Sequence, residues 1–171
     1  STLKSIMYTP SEYRWHYGQD AINSYSKLSG EGRFFRSFKT LLSSKRFGST
    51  KIWNRSVDVE ELVGRFLREV RQRGNSIYQT DVTKVMVGRP VFFNEDPQLD
   101  KLAQQRLEKA LFLAGFKEIE FCYEPVAATY SFSKQLDQEK TVLMVDVGGG
   151  TSDFSILKLR RNDFNQNNIL A

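Results

Sequence analysis

Asp146-Val147-Gly148-Gly149-Gly150-Thr151-Ser152-Asp153 follows the apolar run Val142-Leu143-Met144-Val145 and precedes the alternating run Phe154-Ser155-Ile156-Leu157-Lys158-Leu159. Three successive glycines let a backbone turn tightly and bring its N–H groups against an anion, because no Cβ blocks the approach or penalises positive φ. The flanking patterns predict a strand on each side, the first buried on both faces and the second with one polar face. A Walker A loop needs Gly-Lys-Ser/Thr and a following helix, and a dinucleotide fingerprint needs G-x-G-x-x-G opening a helix. Neither is present, so the stretch reads as a phosphate-binding hairpin.

Two more segments bear on this reading. Tyr123-Glu124-Pro125-Val126-Ala127-Ala128 lies some twenty residues upstream, and Val85-Met86-Val87-Gly88-Arg89-Pro90-Val91-Phe92-Phe93 precedes it. Together with the glycine hairpin, in this order, they resemble the actin-like ATPases, and within them the seventy-kilodalton heat-shock (DnaK-type) chaperones. The Gly-Arg-Pro variant resembles the divergent YegD-type members most. The resemblance implies an α/β fold: a ribonuclease-H-like, actin-type ATPase lobe with a βαβ sheet core and a small helical subdomain. It also implies a family domain about twice this long, so the chain reads as an incomplete domain of a larger protein.

With 171 residues the chain can bury a real core. No apolar run approaches the roughly 18 residues of a membrane span, and the N-terminus lacks a signal-peptide layout. One cysteine, Cys122, excludes an internal disulfide and a Cys-based metal site, and a single histidine, His16, excludes a His-rich centre. The lone cysteine fits a reducing, cytoplasmic setting. Much of the net charge of +5 comes from the arginines and lysines between Arg33 and Arg73. Phe34, Phe35 and Phe38 among them suggest a nucleic-acid surface. Val59, Leu62, Val63, Phe66, Leu67 and Val70 fall at helical spacing, however, so most of this charge reads as the solvated face of an amphipathic helix.

Along the chain, a strand is predicted over 3–8, helices over 19–28 and 34–42, and a long helix from about Val57 to Arg73 stopping at Gly74-Asn75. Lys84 to Gly88 reads as a buried strand, Leu99 to Ala114 as a helix, Ile119 to Tyr123 as a strand and Val126 onward as a helix. Alternation of this kind predicts parallel pairing. The corresponding organisation is a helical subdomain over 1–56, an α/β core over 57–134, the hairpin over 140–159 and a polar tail over 160–171. Lys134 to Lys140 is the most linker-like stretch.

Phosphoryl transfer asks a protein to position the γ-phosphate, neutralise charge and orient water. The resemblance implies ATP or ADP with Mg²⁺, and a K⁺ site, as cofactors. It places Asp146 on the magnesium through its water shell, has Glu124 polarise water or contact that shell, and gives the β- and γ-phosphates to the N–H groups of Gly148, Gly149 and Gly150. Thr151 would reach the γ-phosphate or the attacking water, Asp153 would stand beside that water or a bound monovalent cation, and Lys39 would face the γ-phosphate. Pro90 matches a proline that relays nucleotide state, but Asn94-Glu95-Asp96-Pro97-Gln98 lacks the arginine expected to work with it. Implied partners are nucleotide, unfolded clients and co-chaperones, and the unpaired hairpin suggests a swapped dimer or pairing with the sheet containing Lys84 to Gly88. The resemblance thus implies an ATPase whose fragment alone is inactive. The competing readings are an actin-like filament or cell-division ATPase, a small-molecule kinase of the superfamily, and a nucleic-acid-binding module.

Overall fold

The computed structural model describes residues 2–147, 152–161 and 166–170. They fall into two compact units, Ser1–Val85 with Phe93–Ile119, and Met86–Phe92 with Glu120–Ala171.

The first unit opens with strands β1 (Ile6–Ser11) and β2 (Arg14–Tyr17), helix α1 (Gln19–Lys27) and strand β3 (Arg33–Arg36). The sheet order is β2-β1-β3, antiparallel throughout. Met7, Tyr8 and Thr9 on the central strand are fully buried. Strand β1 runs past the predicted end at Tyr8, and Pro10 lies inside it. The register shifts between Tyr8 and Ser11, and such an irregularity tolerates a residue with no N–H to donate. Residues 34–42, expected as one helix, divide into β3 and the short α2 (Phe38–Leu42), because Ser37 adopts left-handed backbone with φ 58° between them. The hairpin of β4 (Ser49–Ile52) and β5 (Arg55–Asp58) follows, so residues 1–56 are not helical alone.

Helix α3 (Val59–Tyr78) buries Val59, Leu62, Val63 and Phe66, the apolar stripe that the spacing predicted. It runs on past Gly74 and Asn75, where a stop was expected. The returning chain bonds back to this last stretch: Arg71 Nε donates to Val82 O at 2.7 Å, and the Val82 N–H donates to Asn75 Oδ1 at 2.9 Å. Such contacts outweigh the weak helix propensity of glycine, about 1 kcal/mol. Helix α4 (Pro97–Ala114) starts where Asp96 accepts from the Gln98 N–H at 2.8 Å and ends at Gly115, whose φ of 100° suits glycine. The two long helices pack together, and a Cβ on Gly64 would sit 2.9 Å from Ala110 O.

Strands β6 (Lys84–Arg89) and β7 (Glu118–Tyr123) form a two-stranded sheet. The Lys117 N–H donates to Thr83 O at 2.7 Å, and Lys84 Nζ lies 3.5 Å from Glu118 Oε2. The strands therefore begin side by side and run parallel, with α4 as their crossover, the βαβ unit that the alternation predicted.

In the second unit β7 leads directly into α5 (Glu124–Ser133), followed by β8 (Lys140–Val147) and β9 (Ser152–Leu159). The last two pair antiparallel over eight positions, from Lys140↔Leu159 to Val147↔Ser152. These are the two strands that the sequence predicted on either side of the glycines. The hairpin forms a sheet of its own and does not extend that of β6, so the expected intrachain pairing with Lys84 to Gly88 is not made. One hairpin face supplies Leu157 and Leu159 to a core with Cys122, Val126 and Leu136, against which Tyr123, Val142, Met144 and Ile169 pack. Burial raises the Cys122 thiol pKa, against a smaller opposing effect of a hydrogen bond from the Ala127 backbone. Leu136 ties down the stretch that read as a linker. The tail also packs back, with the Leu170 N–H donating to Ile156 O at 2.7 Å. Strand β8, expected to be buried on both faces, is half-buried on one and exposed on the other.

Candidate functional site

Alternation along β8 and β9 sorts the hairpin into two faces. Val142↔Leu157, Met144↔Ser155 and Asp146↔Asp153 share the inner face, while Leu143↔Ile156, Val145↔Phe154 and Val147↔Ser152 share the outer one. The inner face is apolar where it meets the core and carboxylic where it passes beyond it. Asp146 and Asp153 stand opposite each other, both exposed, at the end next to the turn. Gly148, Gly149, Gly150 and Thr151 lie outside the described residues. Two facing carboxylates repel each other, and a hydrated cation between or beside them removes that repulsion. Their oxygen-only chemistry suits a hard cation better than a soft transition metal. Among the described residues no group of three or more His, Cys, Asp or Glu side chains that could hold a metal ion is present.

Glu124 is the first residue of α5, immediately after β7 ends at Tyr123. The turn into helix is fixed by Pro125 in the first turn, whose φ is preset, and by Thr129 Oγ1 donating to Pro125 O at 2.9 Å. Glu124 is half-buried, and its Cγ lies 3.5 Å from where a Gly88 Cβ would stand. The flanking residues Cys122 and Val126 belong to the core that seats the inner face of the hairpin. Helix α5 packs against β9. The acid at the strand-to-helix junction and the two aspartates thus belong to one packed unit.

Pro90 is buried just past the end of β6. The preceding residue, Arg89, is also buried, with its guanidinium over the Tyr123 ring at 5.6 Å. The sequence pattern pointed to an arginine partner downstream of Pro90 and not to this one, which is marked by its burial and its contact with Tyr123. Lys39 lies exposed on α2 in the first unit, whereas Glu124, Asp146 and Asp153 lie in the second.

Over 98 residues, 57% of its length, the chain is 33% identical to the chaperone protein DnaK of Halobacterium salinarum, covering 15% of that protein. Over 97 residues it is 31% identical to the chaperone protein HscA of Buchnera aphidicola, covering 18% of it, and over 111 residues 27% identical to an HscA homolog of Rickettsia felis, covering 16%. The chain thus spans less than a fifth of the relatives it matches. The model of the Hsp70 protein family matches residues 39–168, from α2 through the hairpin and into the tail, well over half of the sequence, and the chain belongs to that family.

Proposed function

We propose that this chain supplies part of the ATP-binding and ATP-hydrolysing domain of a heat-shock-type chaperone, working in the cytoplasm on unfolded clients with co-chaperones. The observation that carries the reading is the facing pair Asp146 and Asp153, which flank the Gly148-Gly149-Gly150 sequence and lie on the face seated against Cys122 and Val126. Bound nucleotide with Mg²⁺, and a monovalent cation such as K⁺, would supply the phosphoryl group and most of the charge neutralisation. In this reading Asp146 and Glu124 hold the metal's water, Gly148 to Gly150 offer backbone N–H groups to the phosphates, and Thr151 and Asp153 orient the attacking water. Lys39 brings a cation to the γ-phosphate. Pro90 carries the nucleotide state outward, and the organisation is that of an actin-type lobe with a YegD-like Gly-Arg-Pro strand end.

A paired measurement of magnesium-dependent phosphate release from residues 1–171 and from the full-length protein tests this. The short chain should be inactive, since one phosphate loop alone cannot enclose the nucleotide. In the full-length protein, Thr151→Ala and Asp153→Ala should slow turnover more than they weaken nucleotide binding. A full-length protein that neither binds nor hydrolyses ATP would refute the reading.

A further inference from the structure

A guanidinium that is always charged loses much hydration on burial, so a buried arginine calls for a reason in its surroundings. Arg89 is 8% exposed, in a second unit whose other buried side chains are mostly apolar or hydroxylic. Its Nε donates to Pro90 O at 3.0 Å and one terminal nitrogen to Val91 O at 3.2 Å. Both carbonyls lie beyond the end of β6, where no ladder continues, so the guanidinium supplies donors that the strand no longer can. The same group lies over the Tyr123 ring at 5.6 Å, near enough for a cation–π attraction.

These contacts join two chain segments at one point. On one side, Gly88, Pro90 and Val91 leave β6. On the other, Tyr123 ends β7 and serves as the N-cap of α5, so its backbone sets the direction in which Glu124 departs. Glu124 in turn passes across the bare Cα of Gly88, the residue before Arg89. A flat, rigid fork bridging two carbonyls and stacking on a ring fixes that geometry in a way that a single ammonium cannot.

We propose that Arg89 is a positioning residue for the phosphoryl-transfer site: by clamping the end of β6 to Tyr123 it holds the Glu124 carboxylate in its working orientation. The proposal rests on the role given to Glu124 above. Arg89 itself need touch neither nucleotide nor metal.

The test uses the full-length protein with Arg89→Lys, Arg89→Met, Glu124→Gln and the Arg89→Met/Glu124→Gln pair. Both single Arg89 variants should lower kcat about 10- to 100-fold, the range by which small misplacements slow catalysis, while the ATP dissociation constant stays within about twofold of wild type. Adding Arg89→Met to Glu124→Gln should cost no further rate, because both changes remove the same contribution. In the nucleotide-free protein, amide hydrogen exchange over 123–127 should quicken in both single variants at unchanged melting temperature. Effects that multiply in the double variant, or unchanged exchange over 123–127, would overturn the proposal while leaving the ATPase reading intact. Wild-type protein without turnover would overturn both. Should Arg89→Met fail to fold, Arg89→Lys, which keeps the charge and loses the fork, decides the matter by its rate and its exchange.

Discussion

Asp146 and Asp153 occupy directly opposed positions on the inner face of an antiparallel hairpin, one residue pair from the end of its ladder. Like charges so placed weaken strand pairing. In the proposed site a bound cation would relieve that repulsion. Asp153→Asn should therefore raise the melting temperature of the protein without nucleotide and lose most of the extra stabilisation that Mg²⁺ with ATP confers on the wild type. Thermal melts in the presence of chelator and of Mg²⁺ with ATP measure both effects. A variant that melts lower without metal would show that the pair is held by something other than a cation.

At the other end of the hairpin Glu139 pairs with Lys158 at 2.8 Å and with Arg160, one residue beyond the Lys140↔Leu159 pair that closes the ladder. Hydrogen bonds from Lys158 and then Arg160 hold the Glu139 pKa below its ordinary value of 4.5. A lowered carboxyl pKa gives stability that is present above the unfolded-state value and lost as pH falls through the folded one. Glu139→Gln should flatten the acid limb of the stability curve below about pH 4.5 and leave the neutral limb unaltered in slope. Chemical denaturation at a series of pH values reads this, and equal acid slopes for the two proteins would exclude the mechanism.

The helix pair α3 and α4 offers a test of packing. A Cβ at Gly64 would stand 2.9 Å from Ala110 O and 3.2 Å from Leu113 Cβ, so the helices must separate to admit it. The higher helix propensity of alanine does not offset a backbone clash. Gly64→Ala is expected to destabilise by about 1–3 kcal/mol, the usual cost of overpacking, and Gly64→Val by more. Gly74, with no atom near its absent Cβ, is the control: Gly74→Ala should stabilise by up to about 1 kcal/mol. Equal melting temperatures for Gly64→Ala and wild type would contradict the close approach.

Elements with a local cause were legible in the sequence. The glycine run between two apolar strands announced the hairpin, the period of Val59, Leu62, Val63 and Phe66 announced α3, and the helical reading of Leu99 to Ala114 announced α4. Elements decided by distant contacts were not. The persistence of α3 past Gly74 depends on Val82 returning to Asn75, and the break at Ser37 depends on Phe34 and Phe35 pairing with β1. At the proposed site, the aspartates stood out in the sequence because their motif is contiguous. Arg89 was missed because what marks it is burial against Tyr123, a residue thirty-four positions away, and no local pattern encodes that.

The outer face of the hairpin gathers Leu143, Val145, Val147, Phe154 and Ile156, all exposed. Their cross-strand pairing places the side chains in one contiguous strip, and a strip of large apolar groups in water favours association. Strand β8 adds to this, since β9 occupies one of its two hydrogen-bonding edges and, among the described residues, no strand occupies the other. Residues 1–171 produced alone should therefore self-associate at micromolar concentration, and Val145→Lys with Phe154→Lys should restore the monomer with the hairpin intact, because neither side chain enters the core of Leu157 and Leu159. Light scattering gives the mass, and circular dichroism with amide exchange across 140–159 shows whether the strands persist. In the full-length protein the same two lysines should instead lower stability if that face is covered by the rest of the molecule. A monomeric wild-type 171-residue chain would remove the case for a hairpin-mediated dimer, and lysine variants without effect in either setting would mean that the strip stays in solvent.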